Sequence, residues 1–181
     1  MISLLKAMYN KYFFSIGKLR GRFWSLFINS GKDLTIMENC KILSPEKIVT
    51  GNHVFINHNA VLAASGGISI GNYVILAPYV SLLTNNHRYD QVDNPIDFQG
   101  YITKEIIIED DVWVGLGSII LPGVKLSRGC IIGAGSVVTK DVPSYAIYAG
   151  NPAKLIKMRF NQELEKKAKL TDFNKEFSRN E

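Results

Sequence analysis

Residues 108–143 read IEDDVW VGLGSI ILPGVK LSRGCI IGAGSV VTKDVP, six successive hexads with no residue left over. Each opens with an aliphatic residue (Ile108, Val114, Ile120, Leu126, Ile132, Val138) and carries a small or apolar one at its fifth place (Val112, Ser118, Val124, Cys130, Ser136, Val142). A period of six matches neither the 3.6 of an amphipathic helix nor the alternation of a half-buried strand. It marks a parallel β-helix, in which each hexad supplies one short strand and one corner and three hexads complete a coil. The opening aliphatics then stack inside a prism, about 4.8 Å apart from coil to coil. An ordinary buried α/β core also contains Val and Ile runs, but it does not hold aliphatics in phase with small residues in phase behind them.

Working backwards, Ile36, Ile42, Thr50, Ile56, Leu62, Ile70, Leu76 and Leu82 keep the same phase if two residues are inserted before Thr50 and two before Ile70. Both insertions are short enough to be corner bulges. Of 14 opening positions 13 are aliphatic and Thr50 is the exception, which predicts a solenoid of a little under five coils. Between Leu82 and Ile108 the register breaks for one excursion loop, residues 83–107, which carries Asn85 and His87. A long loop in a compact repeat costs ordering entropy and adds nothing to the core, so such loops are usually functional. The predicted architecture is an all-β solenoid over residues 34–143, preceded by an amphipathic basic helical segment over 1–33 and followed by a C-terminal extension and helix over 144–181. Within that extension, Tyr145 to Ala153 reads as an irregular exit. Lys154 onward reads as a surface helix with Asn161 as N-cap, and the polar tail from Thr171 is expected to fray.

Composition agrees with one folded domain and appendages: 181 residues, 46% hydrophobic and 20% charged, which excludes wholesale disorder. The net charge of +5 is unevenly placed. Lys6, Lys11, Lys18, Arg20, Arg22 and Lys32 give the first 32 residues +6 with no acid, and the other 149 sum to −1. The basic character thus belongs to the N-terminal segment, and no nucleic-acid partner is expected. No uncharged run in that segment is long enough to span a bilayer. Its interleaved aromatics and cations suit a cap on the first coil or contact with an anionic membrane surface, and the two are compatible. Cys40 and Cys130 both occupy fifth places and read as small packing residues. With no CxxC, no cysteine framework and no signal pattern, a cytoplasmic location is expected, possible also at the inner face of the membrane.

Hexads in register, a His-bearing loop (TNNHRYD), then DDVWVG, GAGSVVTKDVP and AGNPAKLI, in this order over residues 36–159, resemble the hexapeptide-repeat acyltransferases. The likeness is to the sugar and polysaccharide O-acetyltransferases that use acetyl-CoA. It implies left-handed coils and a homotrimer whose three active sites lie between neighbouring prisms, with the excursion loop reaching over the adjacent subunit. It also implies that His87 is the general base, since an imidazole with a pKa near 6.5 can take the proton of a saccharide hydroxyl and return it to the leaving thiolate. Asn57, thirty residues before His87, matches an asparagine that contacts the acceptor in galactoside and maltose acetyltransferases; an amide orients a hydroxyl without competing for its proton. A simple corner role would suit Asn57 equally. His58 and Asn85 complete the implied acceptor set. Ala63, Ala64 and Ser65 stand where those sugar enzymes usually have an acidic acceptor-binding residue, which argues against a simple galactoside or maltose acceptor.

For acetyl-CoA the resemblance implies Trp113 beside the acyl and pantetheine arm, and the backbone around Leu116 and Ala134, with the Leu116 N–H facing the developing oxyanion. Thr139, Lys140, Lys154, Lys157 and Arg159 are the implied phosphate partners. Small residues at Gly133, Ala134 and Gly135 would let the pantetheine lie against the backbone. Three other readings compete. His53, His58 and His87 could hold an interfacial zinc, as in a β-helix carbonic anhydrase, but there the close His pair follows the lone His; no metal is expected. A non-catalytic trimeric scaffold would need neither the loop His nor the basic C-terminal cluster. An N-acetyltransferase acting on a nucleotide-linked amino sugar would share the same loop and the same His.

Overall fold

The computed structural model describes residues 2–171, and within the first helix the side chains of Tyr12 and residues 14–24. The core is a three-faced parallel β-helix. Its first face stacks Asn29–Ser30, Ile48–Thr50, Ile68–Ile70, Ile106–Ile108 and Lys125–Leu126 in parallel register. The second stacks Thr35–Ile36, Phe55–Ile56, Ile75–Leu76, Trp113–Val114, Ile131–Ile132 and Ala146–Ala149. The third stacks Lys41–Leu43, Val61–Ala63, Ser81–Leu83, Ile119–Ile120 and Val137–Val138. All 14 predicted opening positions, Thr50 included, point into the prism and are buried. Each aliphatic there contributes about 1.5–3 kcal/mol relative to solvent exposure, which makes this internal column the main stabilising element.

The solenoid is longer than its hexads predict. Ser30 pairs with Thr50 and so opens a further hexad on the first face, giving five full coils. Beyond residue 143 the winding continues: Val142 bridges Leu126, and Ala146–Ala149 extends the second face into a partial sixth coil. The stretch predicted as an irregular exit therefore contains a strand. Lys154–Met158, predicted as the start of a helix, is an antiparallel strand on Ala146–Ala149. An open strand edge leaves unpaired backbone groups, and folding back through Gly150–Ala153 satisfies them. The helix begins only at Gln162 and runs to Leu170, with the Asn161 side chain accepting a hydrogen bond from the Leu164 N–H at 2.9 Å, as the N-cap reading requires. The tail beyond Thr171 lies outside the described residues.

Both predicted insertions occur at the corner leading from the third face to the first, and the excursion loop leaves at that same corner. They stack: the Lys47 ammonium donates to the Ser65 carbonyl, the Gly66 N–H to Thr84 Oγ1, and Thr84 Oγ1 to the Ala63 carbonyl. Between the first and second faces a side-chain ladder runs along the prism. The Lys32 N–H donates to Asn52 Oδ1, the Asn52 N–H to Asn72 Oδ1 and the Asn72 N–H to Asp110 Oδ1. A Cβ on Gly31, Gly51 or Gly71 would stand within 2.6 Å of these oxygens, so the rungs need glycine.

The N-terminal helix, α1 (Ile2–Trp24), closes the open end of the first coil. A Cβ on Gly21 would stand 1.8 Å from the Leu34 carbonyl oxygen and one on Gly17 2.6 Å from Met37 Sδ, so the two glycines let the helix rest on the strand edge. Phe14 meets Phe55 with ring centroids 5.7 Å apart. Leu34, Thr35, Ile36 and Met37 are buried beneath. The helix thus packs along the edge of the first coil.

Candidate active site

His87 lies in a short antiparallel hairpin at the base of the excursion loop, where Asn85, Asn86 and His87 pair with Thr103, Ile102 and Tyr101. Its ring is 4.5 Å from that of Tyr101, tilted by 43°. The Arg88 N–H donates to the Gly100 carbonyl, continuing the hairpin. Further out, Gln99 holds the loop together: its Oε1 accepts from the Gln91 N–H, and its Nε2 donates to the carbonyls of Gln91 and Asn94. The loop therefore has a defined shape while Tyr89, Val92, Ile96, Phe98 and Tyr101 face solvent. His87 itself is exposed and Asn85 half-buried.

The corner between the second and third faces assembles the other acceptor and acetyl-CoA candidates. Coil upon coil, the Tyr79 N–H donates to the His58 carbonyl, the Gly117 N–H to the Pro78 carbonyl and the Gly135 N–H to the Leu116 carbonyl. His58, Pro78, Leu116 and Ala134 thus form one column. Asn57 is turned into this corner, its Oδ1 accepting from the His58 N–H at 2.9 Å and its carbonyl accepting from Cys40 Sγ at 3.1 Å. His58 meets Tyr79 edge-on at 6.0 Å, and its buried Nδ1 has no hydrogen-bond partner among the described residues.

Leu116 and Ala134 are exposed, and among the described residues neither backbone N–H has a hydrogen-bond acceptor. Each is flanked by glycines with two different jobs. Gly115 and Gly133 have no room for a Cβ, which would meet the Ile132 carbonyl at 2.6 Å and Ala149 Cβ at 2.8 Å. Gly117 and Gly135 take positive φ, 66° and 67°, with open space where a Cβ would stand. Two N–H groups on adjacent coils are therefore held at the surface by rigid backbone, a ready donor set for a ligand carbonyl. Gly135 leaves open space beside Ala134, whereas Gly133 serves packing against Ala149.

Trp113 stands on the outer side of the second face, half exposed, in line with Phe55, Ile75, Ile131 and Ile147. Thr139 and Lys140 are exposed at the corner that follows the third face, and Lys154 and Lys157 are exposed on the returning strand. None of these lysines is ion-paired among the described residues. Arg159 differs from them. Its Nη1 lies 2.7 Å from Asp111 Oδ2 and 3.2 Å from the Gly129 carbonyl, and its guanidinium sits 4.9 Å above the Phe160 ring. It ties the returning strand to the solenoid, an anchoring role invisible in the motif alone.

The single chain does not gather all candidates in one place. His87 leaves the prism at the far edge of the third face from His58, Leu116 and Ala134. A cavity of about 490 Å³ lies along Val49, Ser69, Gly71, Glu109 and Arg128 and touches none of them. The three histidines are also dispersed. His53 Nδ1 lies 3.3 Å from Asp33 Oδ2 with its ring stacked on Tyr73, at a different corner from His58.

Comparison with known proteins agrees with this architecture. Residues 105–140 match the family model described as the hexapeptide repeat of succinyl-transferase. A galactoside O-acetyltransferase of Lactococcus lactis is 34% identical over 134 residues, covering 70% of this chain and 63% of the relative. Among solved structures, a hexapeptide-repeat acetyltransferase of Vibrio cholerae complexed with acetyl coenzyme A superposes with a TM-score of 0.69 at 29% identity, covering 76% of this chain and 75% of the other. A maltose O-acetyltransferase of Clostridium difficile does so with a TM-score of 0.70 at 27% identity, covering 85% and 86%. The chain spans between 36% and 63% of the length of the first four curated relatives that it matches. Fold and repeat define a hexapeptide-repeat solenoid protein. The relatives and solved structures that it resembles are acetyltransferases, hexapeptide-repeat ones among them.

Proposed function

We propose that the protein transfers the acetyl group of acetyl-CoA to a hydroxyl of a saccharide, with His87 as general base. The observation that carries this reading is the column at the second corner, where the free N–H groups of Leu116 and Ala134 stand exposed beside His58 and Asn57. His87 takes the proton of the acceptor hydroxyl as its oxygen attacks the thioester carbonyl. The Leu116 N–H donates to the oxygen on which negative charge develops. The tetrahedral centre then collapses, the C–S bond breaks, and His87 returns the proton to the departing thiolate. Lys140, Lys154 and Lys157, unpaired among the described residues, supply cations for the phosphates. Arg159 is committed to Asp111 and is left out of that set.

Such a site needs a second prism, because His87 and the Leu116 column lie on opposite edges of one face. A homotrimer supplies it, the loop of one copy reaching the corner of the next. The apolar ribbon Phe55–Ile75–Trp113–Ile131–Ile147 and the exposed Tyr89, Val92 and Phe98 are surfaces that such an assembly would cover, and a closed ring leaves no open end for further association. Light scattering is expected to give three times the 20.2 kDa chain mass; a monomer at working concentration would remove the interfacial site. The activity is tested by following thiol release from acetyl-CoA against a panel of saccharides and nucleotide-linked amino sugars. Release that depends on a saccharide hydroxyl supports the reading. Transfer confined to the amino sugars would reassign the protein to N-acetylation.

A further inference from the structure

We propose that the outward side of α1 is a docking surface for an anionic lipid bilayer; this inference does not rest on the transfer reaction. The helix has two sides with different uses. Gly17 and Gly21 face the first coil, Trp24 packs against the core, and Ile28 just beyond is buried, which together account for capping. Tyr12, Leu19 and Phe23, spaced 7 and 4 apart, fall on the opposite side at 100° per residue and are 67%, 60% and 57% exposed. Leu26 and Phe27 extend this exposed strip past the helix end, where Phe23, Trp24 and Phe27 form a cluster with ring centroids 5.5–6.2 Å apart. Capping needs none of these outward residues, and nothing among the described residues buries them.

Charge decides what that something is. Lys18 and Arg22 border the strip and, with Ser25, Gly31, Asp33 and Leu34, line a cleft of about 160 Å³. Neither is ion-paired among the described residues, and the first 32 residues hold six cations and no acid. A second copy seated on the same strip would bring two cationic segments together, and the one carboxylate lining that cleft, Asp33, already stands 3.3 Å from His53 Nδ1. An anionic headgroup layer meets the cations while its acyl boundary receives Tyr12, Leu19 and Phe23, the arrangement of an interfacial amphipathic helix. No helix among the described residues is long and apolar enough to cross a membrane, so the contact lies at the surface.

Sedimentation of the full chain with sucrose-loaded vesicles tests this. Binding is expected to vesicles of phosphatidylcholine with one-third phosphatidylglycerol, to weaken as salt rises, and to be absent with phosphatidylcholine alone. Lys18→Gln with Arg22→Gln should weaken binding roughly 30-fold, the effect of removing two cations near such a surface. Tyr12→Ser with Leu19→Ser should weaken it by at least tenfold with a nearly unchanged melting temperature, because both side chains are mostly exposed. Equal binding to both vesicle types, no binding at low salt, or variants that bind like wild type would each overturn the proposal. So would a concentration-dependent rise in mass that Tyr12→Ser with Leu19→Ser abolishes, since the occupant would then be a second copy.

Discussion

Thr50 is the one predicted opening position that is not aliphatic, and the fold gives that exception an energetic consequence. Its side chain points into the prism between Ser30 and Ile70, is 4% exposed, and carries a buried hydroxyl with no hydrogen-bond partner among the described residues. A buried unsatisfied hydroxyl costs about 1–3 kcal/mol. Valine has nearly the same shape and the same χ1 stiffness, so Thr50→Val removes that cost without opening a cavity. The substitution should stabilise the protein by about 1–2 kcal/mol, raising the melting temperature by about 2–8 °C for a chain of this size. Denaturant titration followed by far-UV circular dichroism measures it, with an unchanged slope showing that the two end states are the same. Thr50→Ser, which keeps the hydroxyl and loses a methyl, should destabilise by about 1 kcal/mol. If Thr50→Val melts at or below the wild-type temperature, the hydroxyl has a partner such as a buried water and the reasoning fails.

Gly21→Ala should destabilise by more than 2 kcal/mol, because its Cβ meets backbone at 1.8 Å, whereas Gly17→Ala should be milder, since the flexible Met37 thioether can move; thermal melts of both variants check the cap. Burial pushes the Cys130 thiol up to about 12, so a thiol reagent at pH 8 should leave it unmodified until the protein unfolds. The same shift has a pH signature. Above about 8.5 the unfolded chain ionises this thiol while the folded chain does not, so stability should fall by up to about 1.4 kcal/mol per pH unit until the folded value is passed. Cys130→Ala should flatten that alkaline limb.

The internal column of the solenoid was legible because a hexad repeats one physical demand, an inward aliphatic, often enough for its phase to show. Both ends were less legible. Ser30 opens a hexad with a polar residue and so hid the first strand. Ala146–Ala149 and Lys154–Met158 are set by an open sheet edge rather than by periodicity, and KLIKM suits helix or strand equally. The corner ladder is visible as repeated Gly-Asn at 51–52 and 71–72, a signal the hexad reading passed over. Among the candidate site residues, the Leu116 and Ala134 backbone is implied by the family resemblance, and the flanking glycines of VGLG and IGAG are its visible trace in the sequence. The motif around Arg159 could not disclose its partner Asp111, which is 48 residues away in sequence and becomes a neighbour only through the winding of the coils.

The central claim, that His87 removes the acceptor proton, is tested most directly by the turnover of His87→Ala beside its affinity for CoA. General base catalysis predicts a rate lowered by roughly 10² to 10⁴ at pH 7.5 with CoA binding and oligomeric mass unchanged, because the imidazole touches neither the Leu116 column nor the core. Turnover within a few-fold of wild type would contradict the account and remove His87 from the chemistry.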